Sequence, residues 1–383
     1  MNMRRIISIL AVSLLAAGAL ASGAGAQRVS HGVTSADVEY VKFVPFEVAT
    51  ATGVRIIDDY MYLSSWKNIS IYDVSNPLDP QLISITPIGF EFESEDMPTN
   101  GEVLLFSEEL PGDALHVWDV TEKTAPVEIA TLNGAGNHTS TCLYDCQWVY
   151  GSGGTITDLR DPANPKLAGS WTELSGASGG HDVTEVRPGL VLVASSEGAL
   201  LDTTDPTAPR IVAKAGGGAP RPQHSSRWPN EGADRFILGQ SESNANPQCT
   251  EDDGETSFSS WDSTGWSKSQ FYENVDSYVL QTGTAMDGNA PVNGLGCSAH
   301  WFEANPRFLN GGLVAMGAYE HGTRFLWIDA DGAITEIGYF LPFGGSTSGD
   351  WWLTDQIVYA IDYTRGIDIL KWNGELDPPK PAR

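Results

Sequence analysis

Four of the seven histidines in this 383-residue chain fall at one recurring place: His138 in GNHTST, His181 in GGHDVT, His224 in PQHSSR and His300 in SAHWFE. Each follows a turn bearing glycine, proline or cysteine, and each opens a short strand-like segment. Imidazole is the commonest metal ligand among side chains. Four imidazoles with open positions beside them suit iron or copper better than calcium or magnesium, which prefer oxygen. Zinc, with four ligands when structural and three plus water when catalytic, is the further option. The expected chemistry is one transition metal on a shared axis, in an oxidoreductase acting on a small molecule. The alternative is that each histidine donates to a neighbouring backbone, leaving a metal-free periplasmic or surface interaction scaffold with a protein partner.

The same phase in the second repeat holds Glu93, with Glu95 two residues on, and in the first and seventh it holds Thr50 and Thr347. Carboxylates often orient ligand histidines through their second nitrogen. Glu93, Glu95 and Asp182 are the candidates for that role, and no catalytic residue is singled out. His31, His116 and His321 lie outside the phase and are expected to have no part in the site.

The elements that must place these residues are short strands. An aspartate-bearing strand followed by a proline turn recurs as IYDVSNPLDPQLIS, VWDVTEKTAPVEIA, ITDLRDPANPKLAG and LLDTTDPTAPRIVA. A degenerate copy, FLWIDADGAITEIG, follows. The first four anchors, Asp73, Asp119, Asp158 and Asp202, are spaced by 46, 39 and 44 residues. A period near 40–45 with several strands per unit marks a propeller. The expected fold is therefore all-β, a seven-bladed β-propeller, with six or eight blades also compatible with the count. The last unit, IVYAIDYTRGIDILKW, lacks an outer strand. The segment from Val38 to Val48 is expected to supply it by pairing with Gly366 to Trp372, which removes an open edge.

The copies ITDLRDPANP and LLDTTDPTAP, with GHDV at His181 opening a unit, resemble the LVIVD-repeat family of exported bacterial β-propellers. That resemblance implies the fold over most of the mature chain, and a fold does not carry a function with it. The four-histidine arrangement is similar in architecture to the carotenoid-cleaving oxygenases, which hold iron with four histidines inside a seven-bladed propeller. It is also similar to the selenium-binding and methanethiol oxidase group. Neither likeness rests on a shared sequence motif.

The N-terminus reads as a signal peptide over residues 1–26. Arg4 and Arg5 precede an apolar stretch, and Ala24-Gly25-Ala26 forms the cleavage site. Residues 27–383 are then one exported domain, secreted or periplasmic, with no membrane insertion. The formal charge is −27 and reaches about −29 once the two signal arginines are gone. Such a surface repels nucleic acid and anionic lipid. The four cysteines read as two disulfides, Cys142–Cys146 across a hairpin and Cys249–Cys297. A competing set, His138 with Cys142 and Cys146 on a metal, stays open at this point. The polar, acidic run from Ser241 to Val275 carries Trp261, Trp266, Phe271 and Tyr272. It reads as an insertion at about 241–275 that forms a lid or substrate wall.

Overall fold

The recurring aspartate works by ending a strand. Its side chain accepts the backbone N–H two residues on and so turns the chain. Asp73 does this to Ser75 at 2.9 Å, Asp119 to Thr121 at 2.9 Å, Asp158 to Arg160 at 3.1 Å and Asp202 to Thr204 at 3.0 Å. Asp262 and Asp329 repeat the contact at 2.7 and 2.8 Å. This is the side-chain mimic of a backbone turn that favours Asp at such corners. In two blades a tyrosine of the neighbouring blade fastens the proline turn. Tyr150 donates its hydroxyl to the carbonyl of Pro206 at 2.7 Å, and Tyr359 donates to that of Pro77 at 2.9 Å.

The computed structural model describes residues 32–46, 51–89, 94–109, 112–216, 224–242, 257–280 and 296–376. Its strands form seven antiparallel blades in chain order around one ring. Blade one holds Ala51–Ile57, Tyr60–Ser65, Asn68–Asp73 and Gln81–Pro87. Blade two has Val103–Glu108, Ala114–Asp119 and Val127–Asn133, with an isolated bridge from Thr99 to Leu104 in place of an inner strand. Blades three, four and five begin on Ser140–Leu143, Asp182–Arg187 and Ser225–Arg227. Blades six and seven begin on Phe302–Ala304 and Thr347–Trp352. Apolar residues on both faces of the middle strands fill the gaps between blades, as Leu190–Ala194 and Gly312–Gly317 show by being buried throughout. In every blade the register shifts by one residue between the two outermost strands. Such a bulge bends and twists the outer strand.

The ring closes as expected from the missing last strand. Val38–Pro45 pairs antiparallel with Gly366–Trp372, starting from Val38 opposite Trp372 and ending with Pro45 opposite Gly366. A further short strand, Gly32–Thr34, was not foreseen and pairs on the outside of blade six with Phe340 to Pro342.

The expected insertion at 241–275 is corrected by the topology. Ser257–Asp262 and Phe271–Val279 are the third and fourth strands of blade five, with Trp261 and Tyr272 in its core. The serine-rich composition hid a strand that packs Phe258 on one face and Trp261 on the other into the cores beside it. Only residues 243–256 of that stretch lie outside the described residues. Phe271 and Tyr272 also pair in parallel with Lys214 and Ala215, the outer strand of blade four. Blades four and five thereby share one eight-stranded ladder. The Tyr272 hydroxyl, fully buried, seals the joint by donating to the carbonyl of Gly198 at 2.5 Å. Tyr272→Phe leaves that carbonyl without this donor and is expected to cost about 1–2 kcal/mol. A denaturant midpoint equal to that of the unaltered chain would contradict this role.

Cys142 and Cys146 are disulfide-bonded across the Leu143–Asp145 turn. Their sulfurs are committed to each other, which removes the His138–Cys142–Cys146 ligand set. Cys297 is also disulfide-bonded, and its expected partner Cys249 lies outside the described residues. Residues 1–31, with the expected signal peptide, lie outside them too.

Candidate metal centre

One rule of the ladder places the histidines. The N–H of His181 donates to Ala194 O at 2.9 Å, that of His224 to Gln240 O at 2.7 Å and that of His300 to Gly317 O at 2.8 Å. Ala194, Gln240 and Gly317 each end the second strand of their blade. His138 sits one step outside the same ladder, where Ser152 N–H donates to Thr139 O at 3.0 Å. The four side chains therefore enter the channel from consecutive blades at one end of the inner strands. Successive ring centroids are 4.3, 3.6 and 4.5 Å apart.

The carboxylate of Glu95 stands among them. Its Oε2 lies 3.5 Å from His138 Nε2, 3.7 Å from His181 Nε2 and 3.4 Å from His224 Nε2. Its Oε1 lies 3.3 Å from His300 Nε2. The segment carrying Glu95 takes the place of the inner strand of blade two. Ser64 donates its hydroxyl to Ser94 O at 2.7 Å, and Ser94 in turn accepts the N–H of Ser107 at 3.2 Å. Gly53 allows the close approach, because a Cβ there would meet Ser94 O at 2.3 Å and the Glu95 carbonyl carbon at 2.7 Å. The indole N–H of Trp301 donates to Glu95 Oε2 at 3.1 Å and fixes the carboxylate from below. Arg227 stacks over that indole at 5.4 Å.

The second nitrogens decide the chemistry. His138 Nδ1 is 2.8 Å from Glu109 Oε2, His181 Nδ1 is 3.1 Å from the His224 carbonyl, and His300 Nδ1 is 2.5 Å from the Ser348 carbonyl. Carbonyls and carboxylates only accept, so these Nδ1 atoms carry the hydrogen. In the neutral ring Nε2 then presents a lone pair. His224 Nδ1 is 2.5 Å from the Gln240 side-chain amide, whose oxygen otherwise has no hydrogen-bond partner. Turned so that this oxygen faces the ring, the amide accepts as the other three partners do. Lone pairs and a carboxylate around one spot repel one another unless a proton or a metal cation lies between them, and the Tyr363 hydroxyl lies 3.4 Å from His300 Nε2. The imidazoles and the carboxylate form groups placed to hold a metal ion.

Burial and mutual repulsion set the charges. Burial alone would raise the Glu95 carboxyl, but His300 and His138 hold it well below the usual range. Burial, then the charge of His224, pushes His181 well down. Burial and His300 lower His224. For His300 burial acts downward, and the Glu95 carboxylate outweighs it.

Of the expected orienting carboxylates, Glu93 lies outside the described residues. Glu95 faces the Nε2 side, in direct reach of all four rings, not the Nδ1 side. Asp182 is engaged elsewhere, at 2.7 Å from Arg227 Nη1, because its strand turns it into the joint between blades four and five. Thr50 lies outside the described residues, and Thr347 is buried and bridged to Tyr319 through the backbone.

Four neighbours were missed. Glu109 orients His138. Glu242 lies 3.5 Å from His224 Nε2 and accepts a short hydrogen bond from Tyr319. The rings of Tyr319 and Tyr363 flank His300 at 4.8 and 5.8 Å. Tyr319 holds a left-handed φ of 46° although it is not glycine, a strain that clusters at functional sites. All four follow the end of a second strand by one or two residues. That is the ladder position opposite the histidines, and it was readable in the sequence.

Further along the inner strands of blades four to six lies a cavity of about 290 Å³ lined by Arg227, Trp228, Glu303 and Phe308 among others. Burial pushes the Glu303 carboxyl from 4.5 up to about 7, against the Trp352 N–H bond and the charges of Arg227 and Arg55. The folded state therefore holds this proton more tightly than the unfolded one. The stability it contributes is full below pH 4.5 and is lost as pH rises through 7. Glu303→Gln is expected to match the parent at pH 4 and exceed it at pH 8 by about 1–2 kcal/mol. That figure is discounted because one edge of the side chain meets solvent. Denaturant curves at both pH values give the answer, and equal differences at the two would contradict it.

No protein-family model matches the sequence, and no curated protein sequence matches it. Solved structures do match. The chain is similar to the WD40 repeats of RRP9 at 11% identity and a TM-score of 0.57, over 90% of this chain and 99% of that one. It is similar to U3-55K at 10% identity and 0.56, over 88% and 98%. YCF48 bound to D1 peptide matches at 10% identity and 0.53, over 88% and 97%. At such identities the likeness is one of fold, and the fold it shows is the β-propeller.

Proposed function

We propose that the chain is an exported propeller metalloprotein in which His138, His181, His224, His300 and Glu95 hold a transition metal, with iron or copper ahead of zinc. On this reading it is a metal-dependent oxidoreductase acting on a small molecule. The observation that carries the metal is the orientation of the imidazoles. Acceptors take the Nδ1 side and leave the Nε2 atoms directed at one carboxylate. A redox metal supplies one-electron chemistry that no protein side chain set here replaces. The chain's own residues would do the rest. Glu242, 30% exposed, and the partly exposed side chains of His138 and His181 form the accessible edge of the site. Tyr319 and Tyr363 wall it on the His300 side. The signal-like N-terminus, the LVIVD-repeat resemblance and the Cys142–Cys146 bridge support an oxidising compartment outside the cytoplasm.

A second reading, a metal-free interaction scaffold, is favoured by the fold likeness alone, one of whose members is a propeller with a bound peptide. Metal content separates the two. The protein should be stripped, reloaded with iron(II), copper(II) or zinc and analysed for metal per chain. His181→Ala and His224→Ala should lose occupancy. His116→Ala should not, since its ring is held by Glu128 and Glu108 outside the cluster. Negligible occupancy of the unaltered protein by all three metals leaves the scaffold.

A further inference from the structure

The donor atoms do not form one cluster. Those of Glu95, His224 and His300 lie within 4.8 Å of one another, and so do those of Glu95, His138 and His181. Among the described residues no such group joins all four imidazoles. An ion with nitrogen ligands at about 2.0–2.1 Å can span donors no more than about 4.2 Å apart. A single ion would therefore require all four imidazoles to close in, whereas each pair needs only a small closure from donors already within 4.8 Å.

Resting on the metal reading above, we propose that the centre is dinuclear. One ion is taken by His224 and His300, the other by His138 and His181, and the Glu95 carboxylate is shared between them. A carboxylate has two oxygens for two ions. Glu95 turns Oε1 to His300, while Oε2 is the oxygen near His138 and His181 and lies 3.4 Å from His224 between the two pairs. The third group, His181 with His224 and Glu242, takes one imidazole from each pair. Glu242 is thus placed as a second bridge on the accessible side. Metals joined in this way lie about 3.5–4 Å apart in two-metal sites. His224 supplies the independent sign of a missing ligand. Its side chain is 2% exposed, and its Nε2 makes no hydrogen bond, with the nearest carboxylate oxygens at 3.4 and 3.5 Å. A buried nitrogen left so is costly without a partner.

Copper(II) is the probe. Metal-free protein is loaded with it, washed free of excess and measured twice, by elemental analysis and by integrating its electron paramagnetic resonance signal. Two ions per chain, with an integrated signal well below the total copper because neighbouring spins couple, is the expected result. One ion per chain with full signal overturns the dinuclear proposal and leaves the mononuclear metalloprotein standing. No copper overturns the dinuclear proposal, and negligible iron and zinc as well would remove the metal reading with it. His138→Ala, on the solvent-facing edge, and His300→Ala, in the core, each break one pair. Each should keep one ion per chain, now with full signal. Loss of all copper from the folded His138→Ala chain would again overturn the shared-carboxylate arrangement.

Discussion

Glu95→Leu is expected to weaken metal binding by more than about 100-fold. Changing a group that only orients a ligand costs 10–100-fold, and Glu95 faces the Nε2 atoms themselves at 3.3–3.7 Å. Leucine fills similar space, so the loss reports the carboxylate and not a collapsed channel. Glu95→Gln separates charge from shape. It keeps an oxygen for the Trp301 N–H and is expected to bind metal between the parent and Glu95→Leu. Competition against a chelator of known strength measures all three. An unchanged affinity in Glu95→Leu would show that the carboxylate only fills the channel and that the imidazoles act without it.

Trp372→Ala should have the largest effect on stability, about 3–5 kcal/mol, the range for removing a buried tryptophan. Its ring is 1% exposed and stacks on Phe325 at 5.0 Å in a core with Val38, Phe340 and Leu370. Val38 is its partner across the closing seam, so the cavity opens where the first and last segments of the chain meet. Denaturant unfolding measures the loss. A cost under about 1 kcal/mol, the level of a surface change, would mean the seam does not hold the ring shut.

The blades were legible because a local signal repeats. An aspartate that turns its own strand leaves the same residues behind each time, at Asp73, Asp119, Asp158 and Asp202. The closing strand was legible by subtraction, since a last blade ending at Trp372 wants an outer edge. Blade five was misread because Ser257–Asp262 reads as polar, and its burial depends on neighbours that the sequence does not display. The four histidines were visible as a phase, while the carboxylate among them was only roughly placed. Glu95 sits on an irregular segment with no ladder to set its register, so counting from the repeat could not choose between Glu93 and Glu95. Glu109, Glu242, Tyr319 and Tyr363 escaped because they belong to the returning strand. Antiparallel pairing brings the end of that second strand beside the start of the first, where the histidines lie.

The parallel pairing between blades four and five bears on how fast a bound ion could leave. His181 and His224 are carried by two blades that share one continuous ladder, so breathing of the ring cannot readily part them. Separation there requires the hydrogen bonds of Lys214 to Gly216 with Gln270 to Tyr272 to break together. Blade three shares no ladder with its neighbours among the described strands, and the His138 side chain is 21% exposed. The escape route is therefore one-sided. Ions should depart past blade three, and the release rate should follow the local opening of that blade while the His181–His224 seam stays shut.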